Sequence, residues 1–267
     1  MLARLPVKRM KKLSDIDLNL IAAERLALQT IEEFGVCLPE HIRVRDIAFA
    51  KNAVVIERPL KNAAASIVKA GSNATIRISP TDSDERKRFS IAHELGHLLM
   101  GHVTSIKKIC SDDDMRNWYQ KDKESQANFF ASELLLPSPM MKKRCDVEKV
   151  NFDPIKLIAK EFRTSLTATA IKFVRLNPEK CAVVYSANGK IDWFYKSPDW
   201  WPFIRRGKDL DKRTVAYDLF HGELVEAEPV EVDADAWIEN NGLDEVVEHS
   251  IISSHHNFVL TVLWIKP

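Results

Sequence analysis

Cysteine is scarce in this chain of 267 residues, and the four present, Cys37, Cys110, Cys145 and Cys181, lie far apart with no CxxC pair. That spacing excludes a disulfide framework and a cysteine-based zinc site, and it fits a reducing compartment such as the cytoplasm. With 8 glycines and 12 prolines the chain is neither collagen-like nor low in complexity. No apolar run approaches the roughly 18 residues of a membrane span. After the basic opening MLARLPVKRMKKLSD, Asp17, Glu24, Arg25 and Glu32 interrupt the apolar residues, so a signal-peptide core is not expected. A surplus of one charge sign is lacking too: 39 Lys and Arg stand against 38 Asp and Glu, an ordinary globular balance with material for one large domain or two. The balance is uneven along the chain. From Thr214 to Ile265 there is no Lys or Arg, while Glu231, Asp233, Asp235 and Glu248 are among many acids, a stretch that would repel a phosphate backbone.

What is present reads as alternating helices and strands. Leu18, Ile21, Ala22, Leu26, Leu28 and Ile31 recur at helical spacing and predict a helix over 16–34. Val54, Val55 and Ile56 form a strand signal, and the runs 66–70 and 74–79 flank Gly71-Ser72-Asn73 as a hairpin. In its second arm Ala74, Ile76 and Ile78 alternate with polar residues, the period of a strand with one buried face. Were that strand the sheet edge, an extended substrate segment could add to it. After Pro80, Thr81 or Ser83 can cap a helix whose first turn carries Asp82, Asp84 and Glu85, and Gly101 is its natural stop. Further helices are predicted over 122–135, closed by Pro137, and over 153–162 and 166–176, with Ser165 as the cap between the last two. Beyond Pro178 the texture turns to strands, with a hairpin at Ala187-Asn188-Gly189 and a late strand FVLTVLW. Five of six tryptophans fall in this last third, which reads as a separate α+β domain with its own aromatic core.

The chemistry concentrates in His93-Glu94-Leu95-Gly96-His97, an HExxH pattern inside the predicted helix after Pro80. Four residues advance a helix by about 400°, so both imidazoles leave one face about 40° apart and can share one metal. Glu94 is offset by about 60° from His97, where a carboxylate reaches a water without being a ligand. Phe89, Ile91, Leu95, Leu98 and Leu99 predict a buried helix, in which Glu94 without a metal or water network would be costly. The third ligand stays open between candidates. A metzincin pattern would need glycine at Met100 and histidine at Val103. His102 lies about 140° around the helix from His97 and past Gly101, which suits a surface or supporting role. Glu124 shares one face of the 122–135 helix with Ala127, Asn128 and Ala131, and completes a His₂Glu set; Glu133 is its rival, more than two turns away. Asn128 could orient His93 or His97 by a hydrogen bond. Tyr119 and His102 are the nearby groups that could steady an oxyanion.

RFSIAHELGHLLMGH, followed 27 positions after its second motif histidine by ESQANFFASELLLP, resembles the ImmA/IrrE family of bacterial and phage-borne metallopeptidases, which carry a gluzincin-like HExxH plus a downstream Glu. The resemblance implies that His93, His97 and Glu124 hold the metal and that Glu94 is the catalytic acid and base. It extends to IKLIAKEFRTSLTATAIKFVRL, similar to the helix-turn-helix-like unit that follows the peptidase core, and to a carboxyl domain similar in size to a GAF-like domain. The fold implied is α+β: a zincin-like metallopeptidase core over 1–140, a helix-turn-helix-like unit over 141–178, and a C-terminal α+β, GAF-like domain over 179–267. Zinc is the default ion for two His and one Glu, with manganese or iron as substitutes. The implied partner is a protein substrate, an XRE-type helix-turn-helix repressor whose cleavage releases mobile-element or stress-response genes. The rival reading is a DNA-binding or ligand-sensing regulator with little peptidase activity. Arg163, Lys172 and Arg175 are available for it, yet the helix that would read DNA offers mostly Thr, Ala and Phe, without a basic stripe.

Overall fold

In the computed structural model the described residues are 15–60, 64–103, 108–110, 123–223, 228–239, 242–253 and 258–267. They form a mixed α+β structure in two compact units. Among them no helix is long and apolar enough to cross a membrane.

The first unit takes the described residues up to Val36, then Arg43–Asp82 and Phe89–Leu134. Helix α1 (Asp15–Glu33) buries Ala23, Ala27 and Ile31, the stripe its spacing predicts, and a short α2 (Val44–Ala50) follows. The sheet contains β1 (Ala53–Glu57), β2 (Ala65–Ala70), β3 (Asn73–Ile78) and β4 (Lys108–Cys110). β2 and β3 form the predicted hairpin, in which Ala70 pairs with Asn73 and Gly71 takes a φ of +61° that a side chain would strain. Ala74, Ile76 and Ile78 of β3 are buried, as the alternation requires. The strand order is β1-β3-β2-β4, with β1 parallel to β3. β3 is therefore interior, which corrects the expectation that it could be the edge: β1 takes one of its flanks and β2 the other, so among the described strands β1 and β4 are the outer ones.

Helix α3 (Asp84–Leu99) carries the HExxH motif. Ser83 Oγ accepts from the Arg86 N–H at 3.2 Å, so Ser83 rather than Thr81 supplies the helix cap. Every residue from Ser90 to His97 is buried. Against it lies α4 (Lys123–Leu135), whose Ala127, Phe130 and Ala131 are fully buried. The approach is closest at Gly96, where an added Cβ would sit 2.9 Å from Phe130 Cδ1 and 3.2 Å from its Cβ. Because Phe130 is itself fully buried, its ring has little room to yield. Gly96→Ala is expected to cost about 1–3 kcal/mol through this overpacking, read as a lowered urea midpoint; an unchanged midpoint would mean that the two helices slide apart freely.

The second unit comprises Cys37–Ile42, Ser83–Arg88 and Leu135–Pro267. Helices α5 (Ser138–Cys145), α6 (Phe152–Phe162) and α7 (Leu166–Leu176) come first. The predicted boundaries of α6 and α7 hold because their caps are explicit. Asn151 Oδ1 accepts from the Asp153 N–H at 2.8 Å, Ser165 Oγ accepts from the Ala168 N–H at 3.2 Å, and Arg163 between the helices takes a left-handed φ of 54°. A five-stranded antiparallel sheet follows, built from β5 (Cys181–Ala187), β6 (Lys190–Lys196), β8 (Val230–Asp233), β10 (Glu245–Ser253) and β11 (Phe258–Trp264) in the order β6-β5-β11-β10-β8. The short strands β7 (Phe203–Ile204) and β9 (Ile238–Glu239) pair separately. One face of the large sheet supplies Ala182, Val184, Val259 and Leu263 to a core that includes Trp200 and Trp237. The expected aromatic core is thus present, although Trp201 stays 52% exposed.

Candidate metal centre

Helix α3 projects both motif imidazoles to one side, and the first turn of α4 meets them there with Glu124. His93 Nε2 and His97 Nε2 lie 3.1 Å apart, and Glu124 Oε2 is 3.2 Å from the first and 3.1 Å from the second. Both histidines are fully buried and the Glu124 side chain is 13% exposed. The imidazole planes are nearly perpendicular at 81°.

The far nitrogens of both rings decide what the three atoms can hold. His93 Nδ1 lies 2.9 Å from Asn128 Oδ1, one helical turn beyond Glu124. With the amide oxygen facing the ring, Nδ1 carries the proton and Nε2 is left as a lone pair. His97 Nδ1 lies 3.0 Å from His102 Nδ1, so one of these nitrogens donates to the other. Two imidazole nitrogens and a carboxylate oxygen thereby converge within 3.2 Å. One shared proton can bridge two such atoms but not three. A divalent cation satisfies all of them: arms of about 2.0–2.1 Å in tetrahedral geometry place ligand atoms about 3.3 Å apart, close to the observed separations. The residues fit a metal.

Among the described residues, His93, His97 and Glu124 are the group of His, Cys, Asp or Glu side chains placed to hold one. Glu133 is buried but stands outside that group. Tyr119 lies outside the described residues. Glu94 is fully buried within α3, next in sequence to His93. Cys145 and Cys181 are buried elsewhere, and burial pushes both thiols up to about 12, so neither offers a thiolate at neutral pH.

Residues 50–173, which contain the α3 motif and Glu124, match the sequence model of a family described as Peptidase_M78, the IrrE N-terminal-like domain. The chain carries an IrrE N-terminal-like domain. The resemblance read from the two motifs is borne out at the level of the family, a family of metallopeptidases that implies a divalent metal. Within this domain His93, His97 and Glu124 could bind such an ion. In fold, the chain is similar to a solved structure described as a Mycobacterium tuberculosis transcriptional regulator. The two share 14% identity and a TM-score of 0.56, over 93% of this chain and 77% of that one. No curated protein matches the chain.

The geometry also shows where the chain goes after the motif helix. The sequence places His102 past the helix stop at Gly101, in a surface or supporting role. α3 ends at Leu99, Gly101 turns left-handed at φ +70°, and the His102 N–H donates to His97 O at 2.9 Å. This 6→1 closure folds His102 back against the His97 ring. The sequence signal was the glycine itself, which marks the end of helical geometry and not merely of the helix.

Proposed function

We propose that this protein is a metal-dependent endopeptidase, with zinc as its ion, that cleaves an XRE-type helix-turn-helix repressor in the cytoplasm and so derepresses mobile-element or stress-response genes. In this reading residues 1–140 are a zincin-like catalytic domain, 141–178 a helix-turn-helix-like unit and 179–267 a GAF-like sensing domain. The observation that carries it is the convergence of His93 Nε2, His97 Nε2 and Glu124 Oε2 within 3.2 Å beside a buried Glu94. His93, His97 and Glu124 would hold a divalent cation, whose Lewis acidity would make a water easier to deprotonate and a peptide carbonyl easier to attack. Glu94, outside the ligand set, takes the proton of the attacking water and delivers it to the leaving amine. Asn128 keeps His93 in the tautomer whose Nε2 is a lone pair. An extended target segment would pair with β1 or β4, the outer strands among the described residues.

The DNA-binding alternative loses support from α7. Residues 169–174, six in succession, are buried, so this helix is enclosed on every side by α5, α6 and the sheet. A recognition helix must present its side chains to a groove. Lys172, one of the three basic residues available to it, is 3% exposed.

The test is co-expression with a helix-turn-helix repressor encoded beside this gene, followed by mass spectrometry for a new fragment. Wild type is expected to yield the fragment and to bind one zinc per chain. Glu124→Ala should yield none and hold well under one. Stoichiometric zinc in that variant overturns the ligand assignment, whereas zinc-loaded wild type that leaves the repressor intact overturns the substrate.

A further inference from the structure

We infer that His102 is a positioning residue for the metal centre: it accepts a hydrogen bond from His97 Nδ1 and thereby fixes both the tautomer and the ring angle of that ligand. The inference rests on the reading that His93, His97 and Glu124 hold the metal, and it assigns the support of the second histidine, as Asn128 supports the first.

His97 Nε2 points into the cluster, 3.1 Å from His93 Nε2 and 3.1 Å from Glu124 Oε2. A nitrogen used as a ligand must offer a lone pair, so the proton of a neutral His97 belongs on Nδ1. The atom facing it is His102 Nδ1 at 3.0 Å. That nitrogen must then be the acceptor, with the His102 proton on its own Nε2, pointing away from the centre. His102 cannot be a fourth ligand in this arrangement, because it touches the side of His97 opposite the cluster.

The contact is built into the backbone. Met100 N–H donates to Gly96 O at 3.0 Å, Gly101 N–H to Leu98 O at 3.2 Å, and His102 N–H to His97 O at 2.9 Å. The last of these ties the main chain of His102 to the residue whose ring it meets, five positions earlier. The left-handed Gly101 makes that return possible. The ring centroids lie 5.2 Å apart with planes inclined at 60°, and the nitrogens meet at their Nδ1 edges at 3.0 Å. His102 is only half-buried and lies beyond the last residue of α3.

Supporting partners of metal-bound histidines are worth about 10–100-fold in metal affinity. The experiment measures zinc affinity by competition with a chelator for wild type, His102→Ala and His102→Asn, together with the thermal midpoint of each metal-free protein. Asn is informative because its Oδ1 branches from the same side-chain carbon as the His Nδ1 and can only accept. His102→Ala is expected to bind zinc about 10–100-fold more weakly with a metal-free midpoint close to wild type, and His102→Asn to recover most of the loss. Ala binding as tightly as wild type overturns the proposal, as does Asn binding no better than Ala. Zinc uptake that is indifferent to Glu124→Ala would sink the ligand reading beneath it, a failure distinguishable from the other two.

Discussion

Glu94→Gln is expected to retain zinc at wild-type stoichiometry and to lose peptidase turnover by about 10²–10⁴-fold, the usual worth of a positioned acid or base. Both halves follow from geometry. The three atoms that converge are His93 Nε2, His97 Nε2 and Glu124 Oε2, so removing the charge at position 94 removes no ligand. Gln has the shape of Glu and fits the same fully buried space, so the packing of α3 is preserved. What it lacks is basicity: an amide cannot take a proton from water at neutral pH or return one to a leaving amine. The loss should fall on kcat with little change in KM, because the proton moves in the transition state and not on binding. The measurement is turnover of the cleaved repressor alongside elemental analysis for zinc. Retained turnover rejects the base; lost zinc makes Glu94 a ligand. Glu124→Ala, which should lose metal and turnover together, is the contrast that separates the two roles.

Much of this centre was legible because its information is local. The i, i+4 spacing of His93 and His97 and the shared face of Glu124, Ala127, Asn128 and Ala131 are properties of single helices, and each survives into the fold. The caps Ser83 and Ser165 act over three residues and are equally plain. What failed to show depends on distant pairing. Nothing in β3 announces that β1 will lie parallel to it, since that contact is made across a connection of many residues. β10 was missed for a different reason. Val246, Val247, Glu248, His249 and Ser250 are all buried, so both faces of the strand are covered and the period-two alternation disappears. Helix α5 was masked by Pro137 and Pro139, which read as an ending although a proline in the first turn also begins a helix.

The polar residues hidden in β10 give the second large effect. Glu248 is fully buried in the C-terminal unit, where its Oε1 accepts from the Ala216 N–H at 2.7 Å and from Ser250 Oγ at 2.7 Å, and its Oε2 from Trp237 Nε1 at 2.9 Å. This one carboxylate ties the start of helix α8 (Val215–Phe220) and the buried tryptophan of α9 (Ala234–Trp237) to the sheet. Glu248→Ala strands the Ala216 and Trp237 donors without an acceptor, since only Ser250 has a substitute in Thr261 Oγ1 at 2.7 Å. The expected cost is about 2–4 kcal/mol, from two buried unsatisfied N–H groups and the vacated volume. Slowed amide exchange in β10 and β11 is the native signature, and its loss in the variant is the measurement; unchanged protection would show that the donors find other acceptors. The same group predicts a pH dependence of definite sign. Burial raises the Glu248 pKa above its ordinary 4.5 against the pull of its donors. Between 4.5 and that raised value the folded unit binds the proton more than the unfolded chain does, so stability falls as pH rises through the interval. Asp211 acts in a separate range and with opposite sign. The hydrogen bonds and charge of Arg213 lower it from 3.8 to about 2, so its contribution is lost only as pH falls through that lower interval. Glu248→Gln should flatten the upper interval. Subtracting the stability profile of Glu248→Gln from that of wild type isolates this carboxyl from every other titrating group, His249 beside it included. A difference that rises with pH instead of falling would mean that the donors outweigh the burial.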